Sequence, residues 1–201
     1  MFITLEGIDG CGKTTQVQRL AQRLEEELGK PVLVTYEPGG WGNEALRSLL
    51  LSQKFEHPYS QMLLFMADRL EHLQRVICPA LQQGSVVICD RYLDSTYAYQ
   101  VGHSQEREEV FDALVDALNP VMPDVTFYLD LSPEQAWQRR CPEEHDDVFE
   151  RQGLAFQESL KKAFDRRAEA NSERIVVVDA TLSIEELTEE CIRQLKSRGL
   201  C

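Results

Sequence analysis

Positive charge is scarce in this chain. Its 201 residues carry 21 lysines and arginines against 34 aspartates and glutamates, a formal net charge of −13. So acidic a surface repels nucleic acid and anionic membrane, which disfavours both as partners and leaves a small nucleotide held by local positive charge. No apolar run approaches the length of a membrane span. The N-terminus reads directly as a strand, without the basic leader and apolar core of a secretory signal. The six cysteines form no Cys-x-x-Cys pair and no metal-like cluster with the four histidines. Cys78 and Cys89 sit in apolar stretches and are expected in the core as reduced thiols. No internal repeat, low-complexity tract or linker divides the chain. The expectation is one cytoplasmic domain, residues 1–201, large enough to bury a core without disulfides.

What the chain does have is a phosphate loop. Gly7-Ile8-Asp9-Gly10-Cys11-Gly12-Lys13-Thr14-Thr15 follows the apolar run Phe2-Ile3-Thr4-Leu5 and precedes a helical pattern. The spacing G-x-x-x-x-G-K-T belongs to a loop whose successive backbone N–H groups converge on nucleotide phosphates. Its glycines let the backbone come close, Lys13 would reach the terminal phosphates and the Thr14 hydroxyl would ligate Mg²⁺. The partial positive charge at the N-terminus of the following helix adds to anion binding. Residues Gly7 to Thr15 are therefore the candidate ATP-binding stretch.

Val17, Leu20, Ala21, Leu24 and Leu28 make one apolar helix face, ended by Gly29 and Pro31. Five runs read as strands: Phe2 to Leu5, Val32 to Tyr36, Ser85 to Cys89, Val125 to Leu129, and Ile175 to Val178. All are short, rich in β-branched residues and nearly continuous in apolar character, as strands covered on both faces should be. Their alternation with helical patterns predicts an α/β fold of the P-loop NTPase kind, a five-stranded parallel sheet with helices on both faces. Ligands bind such sheets at the carboxyl ends of the strands, where Glu37-Pro38-Gly39-Gly40 and Asp90-Arg91-Tyr92 fall. Met62, Leu63, Met66, Leu70, Leu73 and Ile77 are expected to line one face of a long helical stretch up to Gly84. Ser132 and Ser183, each with Gln or Glu three residues on, mark helix starts, and the last helix is expected to bury Ile184, Leu187, Cys191 and Leu195. The segment from Arg139 to Gly153 is dense in charge without apolar periodicity and is the candidate for a mobile lid.

Phosphoryl transfer needs positioning and positive charge around the moving group rather than a covalent intermediate. At the end of the third strand, Arg91 is suited to an acceptor phosphate and Asp90 to supporting Mg²⁺. These stretches carry a resemblance as a set: the phosphate loop, Glu37-Pro38-Gly39-Gly40, Leu64-Phe65-Met66-Ala67-Asp68-Arg69, and Asp90-Arg91-Tyr92 with Ser95-Thr96 and Tyr99-Gln100. In this order they resemble the bacterial thymidylate kinase family, from Phe2 to the final helix.

The resemblance implies transfer of the γ-phosphoryl group of ATP to dTMP, giving dTDP, with Mg²⁺ and no other cofactor, in a homodimer. It implies that Phe65 stacks on thymine, Arg69 hydrogen-bonds O4, and Thr96 and Gln100 add base contacts. Tyr99 would crowd the sugar C2′, Asp9 would face the acceptor with Glu37 beside it, Arg91 would bridge the phosphates and Arg47 would hold the acceptor phosphate. Pro38 and Ser95 complete the implied acceptor site. Lys13, Arg91, Asp9 and the lid arginines Arg139 and Arg140 are the implied catalytic set. On the residues alone, Phe65 and Tyr99 also fit packed core roles and Arg69 a surface pair with Asp68. Arg139 and Arg140 also fit pairing with the acidic residues that follow them.

Two departures stand out. Family members usually read Thr-Arg-Glu-Pro-Gly where this chain has Thr35-Tyr36-Glu37-Pro38-Gly39, and the lid reads Asp147-Val148-Phe149-Glu150 where an arginine follows the aspartate. Lid charge then has to come from Arg139, Arg140 or Arg151. A kinase of another nucleoside monophosphate or of a deoxynucleoside fits the same fold, as does a binding-only relative. A regulatory GTP switch does not, because Asp90-Arg91-Tyr92-Leu93 has no glycine for a D-x-x-G element and no Asn-Lys-x-Asp motif is present.

Overall fold

The computed structural model describes residues 1–52, 55–102, 104–139 and 153–201. Its strands are β1 (Phe2–Glu6), β2 (Val32–Tyr36), β3 (Val86–Asp90), β4 (Val125–Asp130) and β5 (Ile175–Asp179). They form one sheet in the order β2-β3-β1-β4-β5 with every pairing parallel. The five expected strands are all present, each within a residue of its expected bounds.

Alternate residues of β1, β2 and β3 feed opposite cores, as the period of two requires. Ile3, Leu5, Val86 and Ile88 pack beneath α1 (Lys13–Leu28), α8 (Leu154–Ala170) and α9 (Ile184–Ser197). Phe2, Val87 and Cys89 pack against the other layer, built from α3 (Pro58–His72) and α6 (Gln105–Leu118) with the short helices between them. Those are α4 (Cys78–Gln82) and α5 (Leu93–Thr96); α2 (Glu44–Ser52) precedes α3, and α7 (Pro133–Arg139) follows β4. Single π-helical turns, Leu73–Ile77 and Tyr97–Val101, extend α3 and α5.

Burial corrects the expected helix faces. On α3, Met62 and Met66 are buried, but Leu63 and Leu70 are 49% and 38% exposed, because they form a second stripe seven residues apart beside the inward one. In α9, Leu187, Cys191 and Leu195 are buried as expected, whereas Ile184 is 43% exposed. It is the first residue of the helix, and its side chain lies at the rim of a cavity rather than in the core. The Ser183 cap is complete, with Glu186 N–H donating to the Ser183 hydroxyl and the Glu186 carboxylate accepting from Ser183 N–H.

Candidate active site

The loop between β1 and α1 is shaped by what its glycines permit. Gly10 has φ +87°, and a Cβ there would lie 2.5 Å from the Ala136 carbonyl oxygen. Gly12 is left-handed at the N-cap of α1, and no side chain caps the first turn. Lys13 is buried, its Nζ donating to the carbonyls of Gly7 and Ile8, both at 2.9 Å. Burial pushes the Cys11 thiol up, so it stays protonated even beside Lys13. A cavity of about 590 Å³ opens over the loop, walled by residues 9–16. Gly7 and Ile8 lie beneath that wall. Opposite the loop, the rim is apolar, with Leu182, Ile184 and Leu187. Arg139 joins the wall from the end of α7 and donates to the Ala180 carbonyl at 2.8 Å. Arg140, Arg151 and nearly all of the expected lid lie outside the described residues.

Thr14 Oγ1 donates to Asp90 Oδ2 at 2.8 Å, joining the start of α1 to the end of β3. The second carboxylate oxygen, Asp90 Oδ1, is buried without a hydrogen-bond partner among the described residues. A hydroxyl oxygen beside an unsatisfied carboxylate oxygen is a donor set that suits a hard cation such as Mg²⁺.

A second cavity, of about 480 Å³, lies on the far side of Asp9, Thr14, Asp90 and Arg91, which wall both. Every expected acceptor-site residue lines it. Glu37 and Pro38 come from the β2 end, Arg47 from α2, Phe65 and Arg69 from α3, and Ser95, Thr96, Tyr99 and Gln100 from α5 and its π-helical turn. Phe65 is half-buried in this wall rather than sunk in the core. Neither Arg69 nor Asp68 is on the surface. Arg69 Nη2 donates to Glu37 Oε2 at 2.6 Å and to Thr96 Oγ1 at 2.9 Å, and the guanidinium lies 4.8 Å from the centre of the Tyr92 ring. Asp68 accepts from Gly39 N–H at 2.9 Å and from Trp41 Nε1–H at 2.7 Å, which fixes the Glu37-Pro38-Gly39-Gly40 loop to α3. Gln100 is buried, and among the described residues both its amide oxygen and its amide nitrogen are without partners.

Tyr36 takes up a role its arginine counterpart could not. Its ring lies 5.0 Å from the Arg47 guanidinium, and Arg47 Nη1 donates to the Pro38 carbonyl at 2.7 Å. The stack and the hydrogen bond hold Arg47 at the cavity edge. Arg91, at the shared wall, pairs with Asp9 and stacks 5.3 Å from the Tyr99 ring centre. The Tyr99 hydroxyl donates to Asp9 Oδ2 at 2.8 Å, and burial pushes the phenol well up, so it remains a donor.

Several residues of the site escape the sequence reading. His72 is fully buried, with Nδ1 3.1 Å from Glu37 Oε1 and Nε2 2.7 Å from Thr35 Oγ1. Its signal was its place one helical turn beyond Asp68 and Arg69, on the same face of α3. Glu6 is fully buried at the end of β1. A carboxylate closing an otherwise apolar strand, directly before the phosphate loop, was the sign of it.

The family model described as thymidylate kinase matches residues 5–191. The thymidylate kinase of Mesoplasma florum is 43% identical over 196 residues, which span 94% of this chain and 92% of that protein. The thymidylate kinase of Chlamydia trachomatis serovar D is 38% identical over 205 residues, 98% of this chain and 99% of that one. Among solved structures, the crystal structure of thymidylate kinase from Ehrlichia chaffeensis superposes with a TM-score of 0.76 at 35% identity, covering 98% of both chains. A match that runs from β1 into α9 takes in every element that builds the two cavities, and the chain therefore belongs to the thymidylate kinase family.

Proposed function

We propose that the protein transfers the γ-phosphoryl group of ATP to dTMP, giving dTDP. The observation that carries this reading is the wall common to the two cavities, where Asp9, Thr14, Asp90 and Arg91 face both. Donor phosphates held over the Lys13 loop and an acceptor phosphate in the second cavity would meet at Arg91. There, positive charge offsets the charge that spreads over the transferring group. Lys13 and Arg139 border the donor side, and Arg47 the acceptor side. The apolar Leu182, Ile184 and Leu187 give the adenine ring a surface to rest on. Thr14 and Asp90 would hold Mg²⁺, which, when bound, neutralises phosphate charge and orients the donor.

In the acceptor cavity, Arg69 would donate to O4 of thymine, with Phe65 as a stacking face and the Gln100 amide, unpaired among the described residues, as a further base contact. Cytosine presents an amine where thymine has O4, and Arg69, which can only donate, cannot pair with it, whereas the Gln100 amide can turn to suit either base. We also read the protein as a homodimer, supported by the exposed apolar pair Leu63 and Leu70 on α3. Among the described residues, no helix is long and apolar enough to cross a membrane.

The test is a coupled assay of ADP release with ATP and, separately, dTMP, dUMP, dCMP, dAMP and dGMP. Fastest turnover with dTMP is expected. A preference for dCMP or a purine nucleotide would overturn the assignment of the base pocket.

A further inference from the structure

We propose that Glu6 is a positioning residue for phosphoryl transfer, acting through Ser95 and the Tyr92 backbone to fix Arg91 in the wall between the two cavities. The inference rests on the reading of Arg91 as the phosphate-bridging group.

Arg91 needs such a device. Its φ is +68°, a left-handed conformation that is costly for a residue with a Cβ and persists only where the surroundings over-determine it. Two neighbouring residues of β1 supply the determination. Arg91 N–H donates to the Leu5 carbonyl at 3.0 Å, and the next amide, Tyr92 N–H, donates to Glu6 Oε1 at 2.7 Å. The other carboxylate oxygen, Glu6 Oε2, accepts from the Ser95 hydroxyl. Ser95 Oγ in turn lies 3.4 Å from Arg91 Nη1, so the side chain as well as the backbone of Arg91 is tied to Glu6. Asp9 holds the opposite edge of the guanidinium.

The tie depends on charge. An ionised Glu6 accepts from both Tyr92 N–H and Ser95 O–H, which leaves a Ser95 lone pair facing Arg91. Once Glu6 is protonated, one of its oxygens becomes a donor. Facing Ser95, that donor turns the serine hydrogen towards the Arg91 N–H groups; facing Tyr92, it meets another donor. Either arrangement loosens the corner.

The surroundings set this event near neutrality. Burial and the neighbouring Asp94 carboxylate raise Glu6 from 4.5 to about 7, against the Ser95 bond, Arg91 and the Tyr92 N–H. Among the described residues, five other charged or titratable groups border it. Arg91, Arg69 on α3 and Arg174 before β5 are cationic, and burial keeps the Cys89 thiol of β3 protonated. Burial opposes the charge on Asp94 of α5, but Arg174 and Arg167 outweigh it and hold Asp94 below its usual value. Glu6 is therefore the member of the group that titrates. Because its folded pKa lies above 4.5, its contribution favours the folded state fully below pH 4.5 and is lost as pH rises through 7. Glu6→Gln should thus gain stability relative to the parent at alkaline pH, whereas a positioning role requires it to lose activity there. The two roles give opposite signs.

The experiment measures kcat, and KM for ATP, from pH 6 to pH 9 in the parent, Glu6→Gln, Arg91→Ala and the double variant. At pH 8, Glu6→Gln is expected to lose about tenfold or more in kcat with KM for ATP within roughly twofold of the parent. The gap should close as pH falls through 7, and the substitution should have no further effect in the Arg91→Ala background. A parent-to-variant ratio constant with pH, or an effect that simply adds to that of Arg91→Ala, overturns the proposal. Should Glu6→Gln fail to fold, Ser95→Ala replaces it in the same cycle, since it removes the hydroxyl that joins Glu6 Oε2 to Arg91 Nη1; additivity there overturns the proposal equally. Arg91→Ala turning over as fast as the parent would instead refute the reading of Arg91, a separate result.

Discussion

Gln100 and Lys13 are both buried polar residues of the site, and they differ in whether their polar atoms are satisfied. A buried amide left unpaired costs about 1–3 kcal/mol, so Gln100→Leu, close in volume, removes a penalty that the fold carries. The expected outcome is a melting temperature equal to or above that of the parent. With it should come a KM for dTMP raised about tenfold or more, because a base contact is lost. An unchanged KM for dTMP would remove Gln100 from the base pocket. Lys13 has its contacts within the loop, and its charge faces the donor cavity. Lys13→Ala is expected to lower turnover by about 10³-fold or more, because the charge acts on the transferring group, while thermal unfolding stays cooperative. A rate near that of the parent in a folded variant would be fatal to that role.

At the scale of elements, the acceptor cavity depends on one loop held against one helix. The segment after β2 is fixed to α3 by Asp68, Arg69 and His72, and it approaches so closely that Gly40 has no room for a side chain. A Cβ there would lie 2.2 Å from the Tyr36 carbonyl oxygen and 2.8 Å from His72 Nε2. Gly40→Ala must therefore displace the loop, and with it the Arg69–Glu37 pair, which is buried and costs several kcal/mol when one partner is pulled away. Both a lower melting temperature and a KM for dTMP raised about tenfold or more are expected, with KM for ATP little changed. If KM for the two substrates rises equally, the loop is not specific to the acceptor.

The molecule as a whole exposes Leu63 and Leu70 on the outer stripe of α3, whose inner stripe, Met62 and Met66, is already committed to the core. Substitution of both leucines by aspartate leaves that inner stripe untouched. Light scattering should then show the mass falling from dimer to monomer. A mass that does not change, in a protein that is a dimer to begin with, would place the subunit contact elsewhere.

Legibility followed the range of the interactions. Five strands, the phosphate loop and the helix starts were readable because each rests on local pattern: runs of β-branched residues, glycines at fixed spacing, a serine with Gln or Glu three residues on. The acceptor residues were readable only as a set carried by resemblance, although the structure brings all of them to one cavity. Local pattern could not separate the two apolar stripes of α3, since Leu63 and Leu70 differ from Met62 and Met66 only in which neighbour covers them. Nor could it decide the partners of charged residues. Arg69 and Asp68, adjacent in sequence, turn to Glu37 and to Gly39, and Glu6 reaches residues more than eighty positions away. The sequence by itself determined which strands form and where the phosphate-loop motif lies. The order β2-β3-β1-β4-β5 decided which buried charges meet, because it sets β3 directly beside β1 and so brings Glu6 under the Arg91 corner.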